Sequence, residues 1–262
     1  MRRLLHAAPG IGFLLLAVLA WELVARNLGD RAGIFPPPSA IFPSLAEMAV
    51  DGRLLPALGH TLYRLAAGYL LGLVPAVALG LLMGSSASVY RLFEPLVELL
   101  RPIPKPALVP PLMFFLGLGD AMKLTIVALA VFFPILINLV QAVRRMEPEL
   151  LDAARTFGLG RGATLLKVVL PASLPPLMAG MQISLGLALV VVILAEMIGA
   201  GVGIGFGVID AERSFRVKEM YAWVVATAVT GYLLNFLFEK WRQRLLHWHR
   251  DIEDLQRSAL QN

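Results

Sequence analysis

Four stretches of the sequence, Leu62–Met83, Leu124–Ala142, Leu177–Ile198 and Tyr221–Phe238, each run for about twenty residues with no more than one charged side chain. A helix of that length matches the hydrocarbon thickness of a bilayer, whereas helices of soluble domains are shorter and keep a polar face. Composition agrees: 58% of the residues are hydrophobic and 16% charged, where soluble domains have about 45–50% and 25%. So little polar surface cannot clothe a soluble globule of this size. Soluble enzymes and disordered chains are excluded. A transmembrane β-barrel is disfavoured as well, because its strands alternate polar and apolar residues and these runs do not. The expected fold class is an all-α, polytopic membrane protein.

Two further spans are expected, giving about six. Gly10–Arg26 follows Arg2 and Arg3. A basic start before an apolar run also fits a signal peptide, but this run is long and Glu22–Leu28 offers no small-x-small cleavage site. Val89–Leu100 begins the third span, which Pro102, Pro104, Pro106, Pro110 and Pro111 must break or kink before it resumes as Leu112–Leu118. Lipid does not tolerate the backbone groups that proline frees, so this segment should face a helical partner or a water-filled pathway. On the second span, Gly68–Gly72 and Gly80–Gly84 have the spacing that lets helices approach closely.

Six spans put both termini on one side. With the N-terminus inside, about two-thirds of the 23 Lys and Arg residues face the cytoplasm, mostly within 91–105, 144–167 and 240–257. The outer set is Arg26, Arg31, Arg53, Arg64, Lys123, Arg213, Arg216 and Lys218. Trp241 and Trp248 then sit in an inner interfacial belt, and His247-x-His249 reads as belt residues rather than a metal pair. The net charge of +5 belongs to the cytoplasmic face and does not advertise attraction of an external anion. No basic run interleaved with aromatics marks a nucleic-acid site. The chain has no cysteine, which removes disulfides, thiolate nucleophiles and Cys-ligated zinc.

The loop between the fourth and fifth spans is the most informative segment. Pro148 suits a first helical turn, and Glu147 and Glu149 complement the positive end of a helix dipole. Leu150, Ala154 and Phe157 are expected on one face, and Gly158 as a left-handed stop. A second short helix is expected from about Arg161 to Val169, ended by Pro171. An amphipathic loop helix lying on the inner leaflet is the plain reading. Ala153 and Ala154, however, are too small to anchor in lipid and suit close docking into a protein groove.

Asp152-Ala153-Ala154, three residues, Gly158, nine residues, then Val168-Val169-Leu170-Pro171 resembles the EAA loop of bacterial ABC importer permeases, Glu-Ala-Ala-x3-Gly-x9-Ile-x-Leu-Pro. Asp152 for Glu and Val168 for Ile are the departures, and a chance match in a chain of this length is on the order of one in ten thousand. Arg101-Pro-Ile-Pro104, Phe132-Phe-Pro-Ile135 with Asn138, Ala195-Glu-Met-Ile-Gly199 and Arg244-Leu-Leu-His-Trp248 look like the nitrate/taurine/alkanesulfonate branch. Gly203-Ile-Gly-Phe206 stands where that branch usually has Gly-Leu-Gly-Tyr. The likeness covers about Leu54 to Trp248. It implies the type I importer permease fold, in a multi-pass subunit of the bacterial inner membrane with both termini cytoplasmic. It also implies a second permease copy, identical or related, two cytoplasmic ATPase subunits and an extracytoplasmic solute-binding protein. Asp152, Ala153, Ala154, Arg155, Phe157, Gly158, Leu170 and Pro171 become the expected ATPase-coupling residues, and a small anion the expected solute.

The chain has no Gly-x4-Gly-Lys-Ser/Thr phosphate loop, so ATP and Mg are expected in the partner ATPase and no cofactor in this chain. No catalytic or metal-binding constellation is visible. The glycine run Gly199–Gly207 reads as a flexible external loop. Pathway candidates are the polar residues of the spans: Asn138 and Gln141 on one face, Gln182 and Ser184, and Glu196. Interhelical hydrogen bonding competes with solute contact for Asn138 and Gln182, and Glu196 is expected to brace the outer loop or a gate. An integral membrane enzyme would need acids, His or a nucleophile clustered at one depth, and a structural subunit would not need the loop motif. The expected organisation is an N-terminal span and outer segment (1–53), a permease core (54–248) containing the coupling loop (147–176), and a cytoplasmic tail (249–262).

Overall fold

The structure, a computed structural model, describes residues 2–27, 33–199 and 201–247, with side chains from residue 10 onward except that of residue 11. Arg31, Trp248, His249 and the rest of the tail lie outside the described residues. In chain order the helices are α1 (Arg2–Asn27), α2 (Pro38–Val50), α3 (Leu54–Ser85), α4 (Ala87–Leu100), α5 (Val109–Leu116), α6 (Asp120–Arg144) and α7 (Pro148–Thr156). They continue as α8 (Arg161–Thr164), α9 (Leu170–Ala172), α10 (Leu174–Ile198), α11 (Ile204–Arg213) and α12 (Val217–Leu245). Among the described residues there is no strand. α3, α6, α10 and α12 are each long and apolar enough to cross a membrane. The 32 residues of α3 extend about 48 Å, well beyond a hydrocarbon core of about 30 Å.

The chain forms two compact units. One consists of Leu62–Ala195 and Thr230–Asn262. Its central feature is the contact of α3 with α6. A Cβ at Gly68 would stand 2.7 Å from Val127 Cβ, one at Gly72 2.4 Å from the Ala128 carbonyl oxygen, one at Gly80 2.9 Å from Leu139, and one at Gly84 2.5 Å from Val143. Ala76, fully buried, completes a ridge of small residues at every fourth position. Hydrocarbon supplies no hydrophobic drive between helices, so such close backbone contact is what holds them together.

Both numbering series rise together, so α3 and α6 run parallel. Between Gly68 and Gly84 they stay in contact for about 24 Å, and the segment joining them must return over that distance. α4 and α5 make the return in two pieces, neither long enough to span alone. The third expected span is therefore present as a broken one. α10 runs antiparallel to α6, with Gly180 against Asn138 and Val191 and Ala195 clustered with Met122, Ile126 and Ala130. α12 lies antiparallel to α10, with Gly231 against Leu189. Arg64 is a buried cation paired with Asp120 at 2.7 Å.

The other unit consists of Met1–Thr61 and Glu196–Val229. Glu22 on α1 accepts hydrogen bonds from Arg26, the Ser39 hydroxyl (2.7 Å) and the Ser39 amide (3.0 Å) at the start of α2. Trp21, Phe35 and Tyr221 form an aromatic cluster with centroids 5.8–6.3 Å apart. Arg216 pairs with Asp210 and Glu219, and Glu219 also accepts from Arg53 at 2.6 Å.

The α3–α6 contact leads to a direct test. Gly72→Leu forces a side chain into the Ala128 carbonyl and should destabilise the protein by about 1–3 kcal/mol. Gly59→Ala, also on α3 but with open space around it, should be neutral. Thermal unfolding of the purified subunit in detergent checks both; equal midpoints for the two variants would contradict the packing account.

Candidate functional site

α7 begins with Glu147 extended and Pro148 in the first turn, where its missing N–H costs nothing. It ends on Gly158 at φ +69°. The Leu159 amide donates to the Ala154 carbonyl at 3.1 Å, and the Gly158 amide to the Arg155 carbonyl at 2.9 Å. Together these bonds make a Schellman cap, satisfying carbonyls that the helix end would otherwise leave unpaired. Ala154, whose carbonyl accepts the longer of these two bonds, is 3% exposed. The Ala and Gly of the loop motif are thus the two residues that shape this turn.

On α7, Ala154 lies about 40° from Leu150 and about 60° from Phe157 at 100° per residue, the one face expected of them, but the three differ in burial. Ala154 turns inward, as does Leu151, which packs against the core. Leu150 and Phe157 are 43% and 83% exposed, and Ala153 is exposed beside them. At 100° per residue, Leu150, Ala153 and Phe157 form an apolar stripe adjoining the inward face. Asp152 and Arg155 pair at 2.8 Å on the exposed surface, a contact worth little stability in water.

A correction concerns Pro171. The helix does not stop there. From Leu165 to Val169 it widens into a π-helical turn, with the Leu170 amide donating to the Leu165 carbonyl. The wide turn delivers Pro171 into the first turn of α9, where no amide is required, and the backbone continues to Ala172. Val169 is buried and Leu165 and Leu170 pack on the core, anchoring the loop. Between this loop and the ends of α3 and α6 lies a recess of about 980 Å³ lined by Arg144, Arg155 and Arg161.

The five polar span residues do not converge. Asn138 donates to the Pro134 carbonyl at 2.8 Å and lines a cavity of about 470 Å³. Gln141, one turn on, is exposed. Gln182 donates to Asn235 at 3.0 Å, joining α10 to α12. Ser184 is buried with its hydroxyl 3.0 Å from that of Tyr69, which also donates to the Met181 carbonyl. Glu196 is fully buried; both carboxylate oxygens accept from the Thr61 hydroxyl and one from the Gly205 amide, while Thr61 Oγ1 accepts from the Ile204 amide. A carboxylate and a hydroxyl thus meet the first amides of α11, where the helix dipole favours negative charge.

This arrangement corrects the reading of Gly199–Gly207 as a flexible loop. From Ile204 the chain is helical, and Gly203 leaves no room for a side chain, because its Cβ would lie 2.4 Å from Glu196 Cδ.

Sequence reasoning missed Thr61, Tyr69 and Asn235, each the partner of a candidate it named. The proline break holds a further missed group, Lys105. Its ammonium donates to the carbonyls of Leu100, Arg101 and Ile103 at 3.0–3.3 Å and stands 4.2 Å from the Phe133 ring centroid. The signal was available: a lysine placed among prolines, just past a helix C-terminus, has free carbonyls within reach.

The fold and its similarity to known proteins define a transport permease. The chain belongs to the family of binding-protein-dependent transport system inner membrane components, whose profile matches residues 76–247, and within it to the ABC importer permeases of the nitrate/taurine/sulfonate branch. It is 30% identical to the aliphatic sulfonates transport permease protein SsuC of Bacillus subtilis, over 92% of this chain and 88% of the relative. It is 27% identical to the taurine transport system permease protein TauC of Escherichia coli, over 93% and 90%. Identity to the nitrate import permease protein NrtB of Leptolyngbya laminosa is 30%, over 75% and 71%. A structure of the MetNI methionine ABC transporter in inward-facing conformations shares the fold at a TM-score of 0.65 and 20% identity, covering 73% of this chain and 95% of that one. The protein is thus a multi-pass transport subunit of the inner membrane and not an enzyme.

Thr61→Val keeps the side-chain shape but leaves Glu196 and the Ile204 amide each short of a partner, a loss on the order of 1–3 kcal/mol. Limited proteolysis should then cut near Gly199–Gly207 well before the wild type is cut there. Unchanged protection would show that the hydroxyl does not hold α11.

Proposed function

We propose that this chain forms the translocation pathway of an ATP-driven importer of a small anion, and that α7 is the element through which two cytoplasmic ATPase subunits drive it. The observation that carries the coupling role is the exposed stripe Leu150–Ala153–Phe157 on a short helix made rigid by the Gly158 cap. A mobile loop would lose the ATPase stroke in its own bending; a capped helix anchored by Val169 and Leu170 transmits it. Asp152 and Arg155 flank the stripe and supply polar contacts at its rim, while Pro171 fixes the exit toward α10. ATP and Mg act in the partner subunits.

The names of the sulfonate, taurine and nitrate relatives favour a small anion as solute, delivered by an extracytoplasmic binding protein. A second permease, identical or related, completes the pathway. The Lys and Arg distribution supports cytoplasmic termini, with α7 on the cytoplasmic side. Asn138 is a pathway-lining residue; Gln182, Ser184 and Glu196 hold helices and α11 in place.

Gly158→Val should uncouple the complex, since a β-branched residue in this left-handed turn costs about 1–2 kcal/mol. Gly158→Asn, which tolerates that conformation, should restore most function. Solute-stimulated ATPase activity of the reconstituted complex decides it: stimulation undiminished in Gly158→Val would remove α7 from the coupling path.

A further inference from the structure

The break in the third span opens onto the cavity of about 470 Å³ that Asn138 lines, a size typical of small-ligand sites. Its lining is of two kinds: apolar side chains, among them Phe133, Ile137, Leu187 and Val190, and two cations, Arg101 and Lys105, the latter over the Phe133 ring. The cations differ in what they can offer. Lys105 spends its donors on the carbonyls of Leu100, Arg101 and Ile103, so its charge offsets the negative end of α4 instead of reaching outward. Arg101 stands 3.8 Å from Glu98, too far for a hydrogen bond, and its side chain is 54% exposed. Its guanidinium is a planar fork suited to two oxygens of one anion.

We infer that this cavity is an anion subsite of the translocation pathway, in which Arg101 grips the head of a small organic sulfonate or carboxylate and the apolar lining takes its short tail. The inference rests on the anion-importer reading above and adds to it a selective contact in the permease itself. Lys105 acts as a positioning residue: without it, the carbonyls of the break would face the solute and repel it. Asn138 also lines the cavity, with its amide donating to the Pro134 carbonyl.

The test uses proteoliposomes holding the complete importer with its binding protein, and compares uptake of methanesulfonate, butanesulfonate, taurine and nitrate. Because every variant meets the same binding protein, differences between variants belong to the permease. Arg101→Gln should lower sulfonate uptake about ten-fold, and Arg101→Lys should recover part of it. Val190→Phe narrows the apolar lining at a position that is itself exposed; it should depress butanesulfonate uptake far more than methanesulfonate uptake, a change that mere loss of packing would not produce. Wild-type uptake in Arg101→Gln, or equal losses for both chain lengths in Val190→Phe, would overturn the subsite. If Arg101→Gln fails to assemble, the chain-length profile of Val190→Phe alone decides. A wild-type importer that carries none of these anions would instead overturn the reading on which the inference rests.

Discussion

Close contact between two parallel helices governs most of what this chain can do. α3 and α6 touch through Gly68, Gly72, Ala76, Gly80 and Gly84, with no room for a larger side chain at the four glycines. Parallel neighbours cannot be joined by a short turn, so the chain must cross back, and it does so through the α4–α5 break. The same contact brings the end of α3 beside the end of α6, and the loop that follows α6 is packed there by Leu151, Val169 and Leu170. Remove the ridge and the break, the cavity beside it and the seat of α7 all lose their reference frame.

The break would be costly in lipid without a local remedy. Several prolines in succession leave carbonyls with no helical partner, and hydrocarbon offers none. Lys105 supplies three donors at one point, and Phe133 shields its charge from the apolar side. Similar economy appears at α11, where Glu196 and Thr61 meet two amides that a helix N-terminus leaves open. In both places a charged group inside a span does structural work at a backbone discontinuity.

Spans, the proline break and the Gly158 turn were legible in the sequence because each depends on local chemistry: run length, a missing amide, a residue without Cβ. The glycine pairs on α3 announced a close contact but not its partner, and Ala76 belonged to the same ridge unnoticed. Pairings such as Gln182 with Asn235 or Glu196 with Thr61 join residues far apart in the chain, and no periodicity reveals them. On α7 the shared face of Leu150, Ala154 and Phe157 was legible, but not that only its Ala154 edge, next to Leu151, is buried, because that depends on where the core lies. Pro171 was misread because a π-turn can carry proline past a position where an α-helix must end.

The claim that α7 meets the ATPase can be measured directly, since the chain has no cysteine to confuse labelling. Phe157→Cys, 83% exposed in the wild-type side chain, and Phe215→Cys, 89% exposed at the turn after α11, provide matched probes. Each is labelled with a benzophenone maleimide and irradiated in the assembled importer. The account expects a permease–ATPase adduct from position 157 and none from position 215. No adduct at 157, or one of equal yield at 215, would contradict it.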